Sequence, residues 1–299
     1  MTAFTLLALY SAIIILVSLL GGWLPSKIKL THTGTQVMMS FVAGLMLGIA
    51  FYHLLPHAIF TLPEEGGVDT AVWWLMIGLL FMFVLLRTFH FHNHGPQDDD
   101  HHGPDHSHHS ATPISWVGVA LGLAVHTLID GVALGAAIQT GVMGDAPLGL
   151  LGLGVFVAIA LHKPLDAMSI TSLMMAGGWN ARSRFIVSVL FSIMCPLGAL
   201  LFFIGMEQFD AGTSVVGIAL AFSAGVFICV SLNDLLPEVQ FHSHDRAMLT
   251  VALLAGIITA YGIGLLGPEH AHQNHDAHSH THSQGHSQGH SQGHSQTHH

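Results

Sequence analysis

The sequence predicts an all-α polytopic membrane protein with eight transmembrane helices and an inverted repeat. Three observations carry this prediction. First, 51% of the 299 residues are hydrophobic and only 8% are charged, whereas an average soluble domain has roughly 25% charged residues. Second, the apolar residues fall in eight runs, each close to the ~20 residues that a helix needs to cross a bilayer. Third, a motif in the second run recurs in the seventh.

The eight runs define the predicted spans in chain order. The first run follows Met1 with no basic residue and no small-residue cleavage site, so we interpret it as a retained helix and not as a signal peptide. Pro25, Pro63, Pro113 and Pro147 lie near span ends, where proline is tolerated. The predicted spans are 4–23, 35–60, 70–90, 113–140, 147–176, 185–205, 213–240 and 247–266.

The spans form one predicted membrane domain, residues 1–268, which includes a histidine-rich loop at 90–110 between spans 3 and 4. Residues 269–299 form a tail with eleven histidines and a Ser-Gln-Gly-His repeat. Neither segment has the apolar residues to build a core, so we expect both to be disordered without metal and to act as weak metal traps. The loop histidines are His90, His92, His94, His101, His102, His106, His108 and His109.

Basic residues predict the orientation, because cytoplasmic loops carry an excess of Lys and Arg. Six of the seven basic residues lie in or beside loops 1–2, 3–4, 5–6 and 7–8, and none lies in the other loops. Both termini are therefore predicted to be extracytoplasmic, in the plasma membrane or in the inner membrane of a bacterium. We expect the bilayer and divalent metal ions as partners, and no nucleic acid. The six residues are Lys27, Lys29, Arg87, Arg182, Arg184 and Arg246.

The repeat joins spans 2 and 7. Residues 41–44, Phe-Val-Ala-Gly, align with 222–225, Phe-Ser-Ala-Gly, and residues 53–57, His-Leu-Leu-Pro-His, align with 234–238, Asp-Leu-Leu-Pro-Glu. An odd number of crossings separates the copies, so they have opposite orientations in the membrane. Inverted repeats are typical of transporters that bind substrate at the repeat interface. The alternative is chance similarity between two apolar helices.

Two pairs of ionisable residues lie inside apolar helices. His126 and Asp130 are four residues apart in span 4, and His162 and Asp166 repeat this spacing in span 5. The spacing places each pair on one helix face, and ionisable groups within the bilayer mark functional sites. The alternative is a histidine that bonds an acid for helix packing, but a second pair of the same design favours one metal site. Imidazole and carboxylate suit Zn²⁺ and also Fe²⁺, Mn²⁺ or Cd²⁺.

Lys163 directly follows the span 5 histidine. A buried ammonium needs an anionic partner, and Asp130 and Asp166 are the candidates. Lys163 is therefore expected to supply fixed charge in the place of a second cation. Snorkelling to the membrane surface is the alternative, which the position of Lys163 well inside its span disfavours.

Spans 2 and 7 carry further polar residues with the same spacing. We expect them to line an entrance or exit for a cation. The alternative is helix capping and loop contacts, because the proline inside each motif can end its helix. These residues are His53, His57, Asn233, Asp234 and Glu238.

With these motifs, eight spans and a histidine-rich loop 3–4, the chain resembles the ZIP (Zrt/Irt-like) family of divalent-metal transporters. The resemblance implies a ZIP-like helical bundle that imports zinc or a related metal into the cytoplasm as a homodimer. It also implies an elevator-type motion, in which spans 1, 4, 5 and 6 slide against spans 2, 3, 7 and 8.

The resemblance also implies the ligands. A first metal is bound at the positions of His126, Asp130, His162 and Asp166. A second metal, in members that have one, uses the positions of Thr127 and Lys163 and an acid from span 6. Here threonine is a poor ligand, lysine repels cations and predicted span 6 has no acid. This pattern fits a subgroup with His-Lys in the fifth span and places the second metal in doubt.

Two alternative functions differ from import. A cation-diffusion-facilitator exporter also carries His-x-x-x-Asp pairs, but it is expected to have six spans and a folded cytoplasmic C-terminal domain. An intramembrane zinc metalloenzyme would need a general base and an oxyanion donor beside the metal, and the sequence has no His-Glu-x-x-His motif. We therefore expect a transporter and not an enzyme.

Overall fold

The protein is helical throughout the residues that the computed structural model describes, which are 3–27, 32–90, 115–143, 152–208, 212–241 and 246–265. A 3₁₀ turn at Leu24–Ser26 follows the first helix, and a π-helical turn at Ala50–Leu54 joins the second and third. The α-helices are α1 (Ala3–Trp23), α2 (His32–Ile49), α3 (Leu55–Thr61), α4 (Gly67–His90), α5 (Ser115–Met143), α6 (Leu153–Ala176), α7 (Ala181–Gln208), α8 (Thr213–Phe241) and α9 (Arg246–Leu265).

These helices make eight segments that are long and apolar enough to cross a membrane. Span 1 is α1, span 2 comprises α2, the π turn and α3, and spans 3 to 8 are α4 to α9 in order. The prediction of an all-α bundle with eight spans is therefore confirmed. Trp73 of span 3 and Ile258 of span 8 are among many large apolar side chains exposed on the outside of the bundle, as lipid contact requires.

Local backbone signals explain the largest shifts of span ends. Gly152 has φ 64° and immediately precedes α6, so span 5 begins at Leu153 and not at residue 147. Span 6 begins four residues earlier than predicted, because the Asn180 side chain accepts a hydrogen bond from the Ser183 amide (2.8 Å) and caps a polar first turn. The helix of span 3 ends at His90, which is the predicted last residue of that span and was also counted as the first histidine of the loop.

Span 2 packs closely along span 8 through two reciprocal glycine contacts. A Cβ atom on Gly44 would overlap the carbonyl oxygen of Leu253, and one on Gly256 would overlap the carbonyl oxygen of Phe41. Only glycine permits two helix backbones to approach so closely, which is how transmembrane helices gain packing energy in lipid.

Span 7 repeats the same arrangement with span 3. A Cβ atom on Gly225 would overlap the Leu75 carbonyl oxygen, and one on Gly78 would overlap the Phe222 carbonyl oxygen. Phe222 and Gly225 are the residues that the sequence repeat aligns with the phenylalanine and glycine of span 2. The two copies therefore share a partner-helix contact as well as a sequence, which supports the inverted repeat.

Spans 1, 4, 5 and 6 are joined by contacts of the same kind. Gly21 of span 1 lies against the backbone of Pro164 in span 5, and Gly131 of span 4 faces the Cys195 carbonyl oxygen of span 6. In return, Gly198 of span 6 faces the Leu128 carbonyl oxygen of span 4. The contact at Gly131 fixes the rotation of span 4, so that Asp130, the preceding residue, faces the centre of the bundle.

Candidate metal-binding site

Spans 4 and 5 bring the four predicted metal ligands together. One donor atom from each of His126, Asp130, His162 and Asp166 lies within 4.8 Å of the other three. The Oδ2 atom of Asp130 is 3.2 Å from His162 Nε2 and 3.6 Å from His126 Nε2, and His162 Nε2 is 3.8 Å from Asp166 Oδ2. The first three residues are buried and Asp166 is partly exposed, so the cluster is a nearly closed cage of nitrogen and oxygen donors.

Lys163 is fully buried and lies against both carboxylates of this cage. Its Nζ atom donates hydrogen bonds to Asp130 Oδ2 (2.6 Å), Asp166 Oδ2 (3.1 Å) and Thr127 Oγ1 (2.9 Å). Both acids that the sequence offered as partners are therefore in contact with the ammonium. Thr127 in turn donates to the Leu123 carbonyl oxygen (2.7 Å), which leaves its oxygen free to accept from Lys163.

Several polar atoms of the site have no hydrogen-bond partner among the described residues. Both ring nitrogens of His126 and the Oδ1 atom of Asp130 are buried and have no such partner. Native proteins rarely leave buried polar atoms without a partner, and such atoms mark sites of catalysis or of ions. An imidazole binds a given ion through one nitrogen, and His126 Nε2 is the nitrogen that faces the Asp130 carboxylate, so these two groups point to the same binding position.

His162 has acceptors on both sides of its ring. Its Nδ1 atom is 2.8 Å from the Ala158 carbonyl oxygen, and its Nε2 atom faces the Asp130 carboxylate. A neutral imidazole has one N–H and cannot donate to both acceptors. If Nδ1 donates to Ala158, the lone pair of Nε2 is directed at the cage. This backbone bond fixes the tautomer and ring orientation that a metal-binding histidine uses.

The polar residues of span 2 lie apart from the cage. His53 lies in the π turn, its Nε2 atom is 3.0 Å from the Ala260 carbonyl oxygen of span 8, and its ring lies beside Gly154 of span 5. His57 Nδ1 is 2.5 Å from the His53 carbonyl oxygen. Gly154 precedes His162 by eight residues, which is ~12 Å along a helix, so these histidines lie between the cage and one end of the bundle.

Other predicted positions are only partly described. Asn233 is exposed near the opposite end of span 7, and the side chains of Asp234 and Glu238 lie outside the described set. The histidine-rich loop beyond His90 and the whole tail also lie outside the described residues. Span 6 extends to Gln208 and so includes Glu207, but this exposed carboxylate is not part of the cage.

Sequence reasoning missed two contributors to the site. Thr127 was considered only as a poor ligand, although its position three residues before Asp130 on a helix predicts that both share a face. Phe227 of span 7 is fully buried and meets the His162 ring edge-on, with centroids 6.3 Å apart. Nothing in the sequence distinguishes this phenylalanine from others in apolar runs.

Comparison with known proteins identifies the family. A family model of the ZIP zinc transporters matches residues 91–267, which is more than half of the chain and includes the whole cage. The chain belongs to the ZIP family. Membership in this family makes the protein a multi-pass membrane transporter and not an enzyme. It also sets aside the cation-diffusion-facilitator alternative, which concerns a different family.

Two ZIP relatives extend the similarity beyond the residues that the family model matches. Zinc transporter ZIP9-B of Xenopus laevis is 27% identical over 286 residues, which cover 82% of this chain and 89% of that protein. Zinc transporter 3 of Arabidopsis thaliana is 25% identical across 74% of this chain and 70% of its own length. Zinc transporter ZIP9 of Macaca fascicularis is 37% identical over a shorter stretch of 131 residues, or 42% of this chain and 53% of that protein.

Proposed function

We propose that this ZIP protein imports divalent transition metal, zinc before other metals, into the cytoplasm, and that it binds the ion between spans 4 and 5. The observation that carries the proposal is the buried cage of two imidazoles and two carboxylates whose donor atoms lie within 4.8 Å of one another. The partnerless Nε2 atom of His126 and Oδ1 atom of Asp130 support it, because an ion at that position would be a partner for both groups.

The donor set suits zinc chemically. Zinc takes four nitrogen or oxygen ligands at roughly 2.0–2.2 Å, so tetrahedral ligands lie about 3.4 Å from one another. The cage needs only a small contraction to reach that size. Fe²⁺, Mn²⁺ and Cd²⁺ accept similar ligands. We place zinc first because the relatives that the chain resembles are named zinc transporters.

The charges of the cage favour one bound ion. Asp130 and Asp166 supply two negative charges, and Lys163 bonds both and returns one positive charge. One divalent ion changes the formal charge from −1 to +1. A second would have to displace or approach the buried ammonium, which electrostatic repulsion opposes. We therefore propose that Lys163 substitutes for a second metal.

We propose the direction of transport from the basic residues at one end of the bundle and the histidines near the other. The end that carries Lys27 and Arg184 is cytoplasmic by the positive-inside rule, which places both termini outside. His53 and His57 lie beyond the cage on the other side, against spans 5 and 8. We propose that they receive the ion from outside, and that the acids at the opposite end of span 7 receive it on the cytoplasmic side.

An elevator-type motion is supported by how the helices are joined. Among the described glycines, every close contact with the backbone of another span stays within spans 1, 4, 5 and 6 or within spans 2, 3, 7 and 8. Between the two groups, Gly154 meets only side chains, those of His53 and Ile49. All four ligands belong to the first group, so we propose that the loaded cage moves as a unit past Phe227 of the second group.

Three features of the assembly stay predictions. These are the homodimer, the location in the plasma membrane, and the role of the histidine-rich loop and tail as metal traps on the two membrane sides. The structure has one chain, and the loop beyond His90 and the tail lie outside its described residues.

The test of the cage is zinc uptake by proteoliposomes. His126→Ala and Asp130→Ala should each reduce uptake to the rate of empty vesicles, because each removes one of the four ligands. Thr140→Ala is the matched control, since Thr140 lies on the same helix and its hydroxyl bonds only the Ala136 carbonyl oxygen. Uptake at the parental rate in either ligand variant, with the variant folded, would refute the site.

A further inference from the structure

We propose that an anionic phospholipid binds in a cavity among spans 1, 5 and 6, with its phosphate at Arg184 and an acyl chain along span 1. The cavity has a volume of about 290 Å³, and neither Lys163 nor any of the four predicted metal ligands lines it. This binding site goes beyond the proposed transport function and does not depend on it.

The cavity has the shape and polarity of a lipid site. Leu16 and Leu20 of span 1 and Phe185 of span 6 line its apolar part, and all three are exposed on the outside of the bundle. In a membrane this surface faces lipid, so the cavity must be filled by acyl chain and not by water. From Leu16 to Trp23 the helix rises ~10 Å, which is a substantial part of one leaflet of the ~30 Å hydrocarbon core.

The polar end of the cavity is positively charged, because Arg184 lines it and Lys27 lies over the Trp23 ring, 5.8 Å from its centroid. Arg184 and Ser26 line this end, beside Trp23. Tryptophan at a span end marks the level of lipid headgroups. Span 1 contains no Asp or Glu and span 6 contains none before Glu207, and within the described residues no acid forms an ion pair with Arg184. An anionic headgroup complements this charge, whereas a free phosphate would leave the apolar part unfilled.

The cavity is a built feature of the helix packing. Its inner wall is formed where Gly22 of span 1 meets Ser188 of span 6, because a Cβ atom on Gly22 would lie 2.6 Å from the serine oxygen. All lining residues belong to spans 1, 5 and 6, within the group that we propose to move. A bound lipid would therefore travel with this group on the side that our orientation makes cytoplasmic.

The experiment uses the fluorescence of Trp23. The full chain is placed in liposomes that contain brominated phosphatidylglycerol or brominated phosphatidylcholine, and the Trp23 signal is obtained as the difference between the parent and Trp23→Phe. We expect phosphatidylglycerol to quench Trp23 at a lower lipid fraction than phosphatidylcholine. Arg184→Gln should weaken this preference about fivefold, the factor expected when one basic side chain stops attracting an anionic headgroup.

Two further variants control for general attraction and for folding. Arg182→Gln removes the same charge two residues away in the sequence. The Arg182 side chain does not line the cavity, so the preference at Trp23 should stay near the parental value. Arg184→Lys keeps the charge and should keep most of the preference. Equal quenching by the two lipids, an equal loss in Arg182→Gln and Arg184→Gln, or relief of quenching by inorganic phosphate would overturn the proposal.

Discussion

Lys163 is hydrogen-bonded to both carboxylates of the cage, which determines the behaviour of the cage without metal. Its Nζ atom is within hydrogen-bond distance of Asp130 and Asp166, and its side chain is fully buried. A buried ammonium has a large desolvation cost, which close carboxylates and further hydrogen bonds offset. We therefore expect Lys163 to stay charged and in place with and without metal, so that the two states of the cage differ only by the ion.

Replacement of Lys163 should separate stability from binding. Lys163→Met keeps the length of the side chain but leaves two carboxylates without a cation, which should destabilise the apo protein by ~3–5 kcal/mol. Added zinc should raise the melting temperature of the variant more than that of the parent, because the ion then supplies the missing charge. Thermal unfolding in detergent with and without zinc measures both effects.

The control for this variant is Lys27→Met, which removes an exposed cation beside Trp23 at the end of span 1. It should leave both melting temperatures within the error of the parent. An apo melting temperature of Lys163→Met equal to that of the parent would show that the ammonium does not stabilise the carboxylates.

Zinc affinity should fall as the pH falls. The histidine and aspartate ligands must be deprotonated to bind metal, so protons and zinc compete for the same atoms. For each proton that binding releases, the affinity weakens about tenfold per pH unit. Isothermal titration at several pH values, in buffers of different protonation enthalpy, measures both affinity and proton release. An affinity that is constant from about pH 7.5 to about pH 5.5 would exclude these ligands.

The chemistry of single residues was partly predictable from spacing. Two His-x-x-x-Asp pairs predict two ligands on each of two faces, and adjacency to His162 predicts that Lys163 reaches the acids. The shared use of Asp130 by both histidines and the lysine was not predictable, because it depends on the rotation of span 5 against span 4. The edge-on contact of Phe227 comes from span 7, distant in sequence, and no local pattern encodes it.

Glycines determine which helices become partners. In lipid there is little hydrophobic gain when two apolar helices meet, so close approach and backbone contact decide the pairing. Spans 2 and 8 and spans 3 and 7 pair through the same reciprocal motif. Run lengths predicted the number of spans, but a glycine in a sequence does not say which carbonyl it will meet. The pairing, like the π turn at Ala50–Leu54, was therefore visible only in the structure.

The Gly256→Ala variant tests the contact of spans 2 and 8. The added methyl group would overlap the Phe41 carbonyl oxygen, so the helices must separate, and we expect a loss of ~1–3 kcal/mol in stability. Gly262→Ala is the matched control on the same helix, because a Cβ atom there meets no atom within 4 Å. Melting temperatures in detergent should fall for the first variant only. Equal values for the two would mean that the close approach does not stabilise the bundle.

At the scale of the whole molecule, the close contacts of the described glycines with the backbone of another span divide the eight spans into two sets, which are spans 1, 4, 5 and 6 and spans 2, 3, 7 and 8. This division follows the inverted repeat only in part, since spans 4 and 5 lie between the repeated elements and carry all four ligands. The arrangement keeps the geometry of the cage independent of the position of the second set. It also predicts which cross-links will stop transport.

A link between the sets should stop zinc uptake, and a link within one set should not. Gly154→Cys with Ile49→Cys joins span 5 to span 2, where the two positions are in contact. Gly135→Cys with Phe202→Cys joins spans 4 and 6, because a Cβ atom on Gly135 would lie 3.3 Å from that of Phe202. Both pairs are made in a background with Cys195 and Cys229 replaced by alanine.

A short reducible cross-linker is applied to each pair in proteoliposomes, and uptake is measured before and after reduction. We expect the first pair to lose uptake and to regain it on reduction, because the cage can no longer pass the second set. The second pair should transport in both states, since its link lies inside a unit that moves as one. Undiminished uptake in the fully cross-linked first pair would mean that ions reach both sides of the membrane without relative motion of the sets.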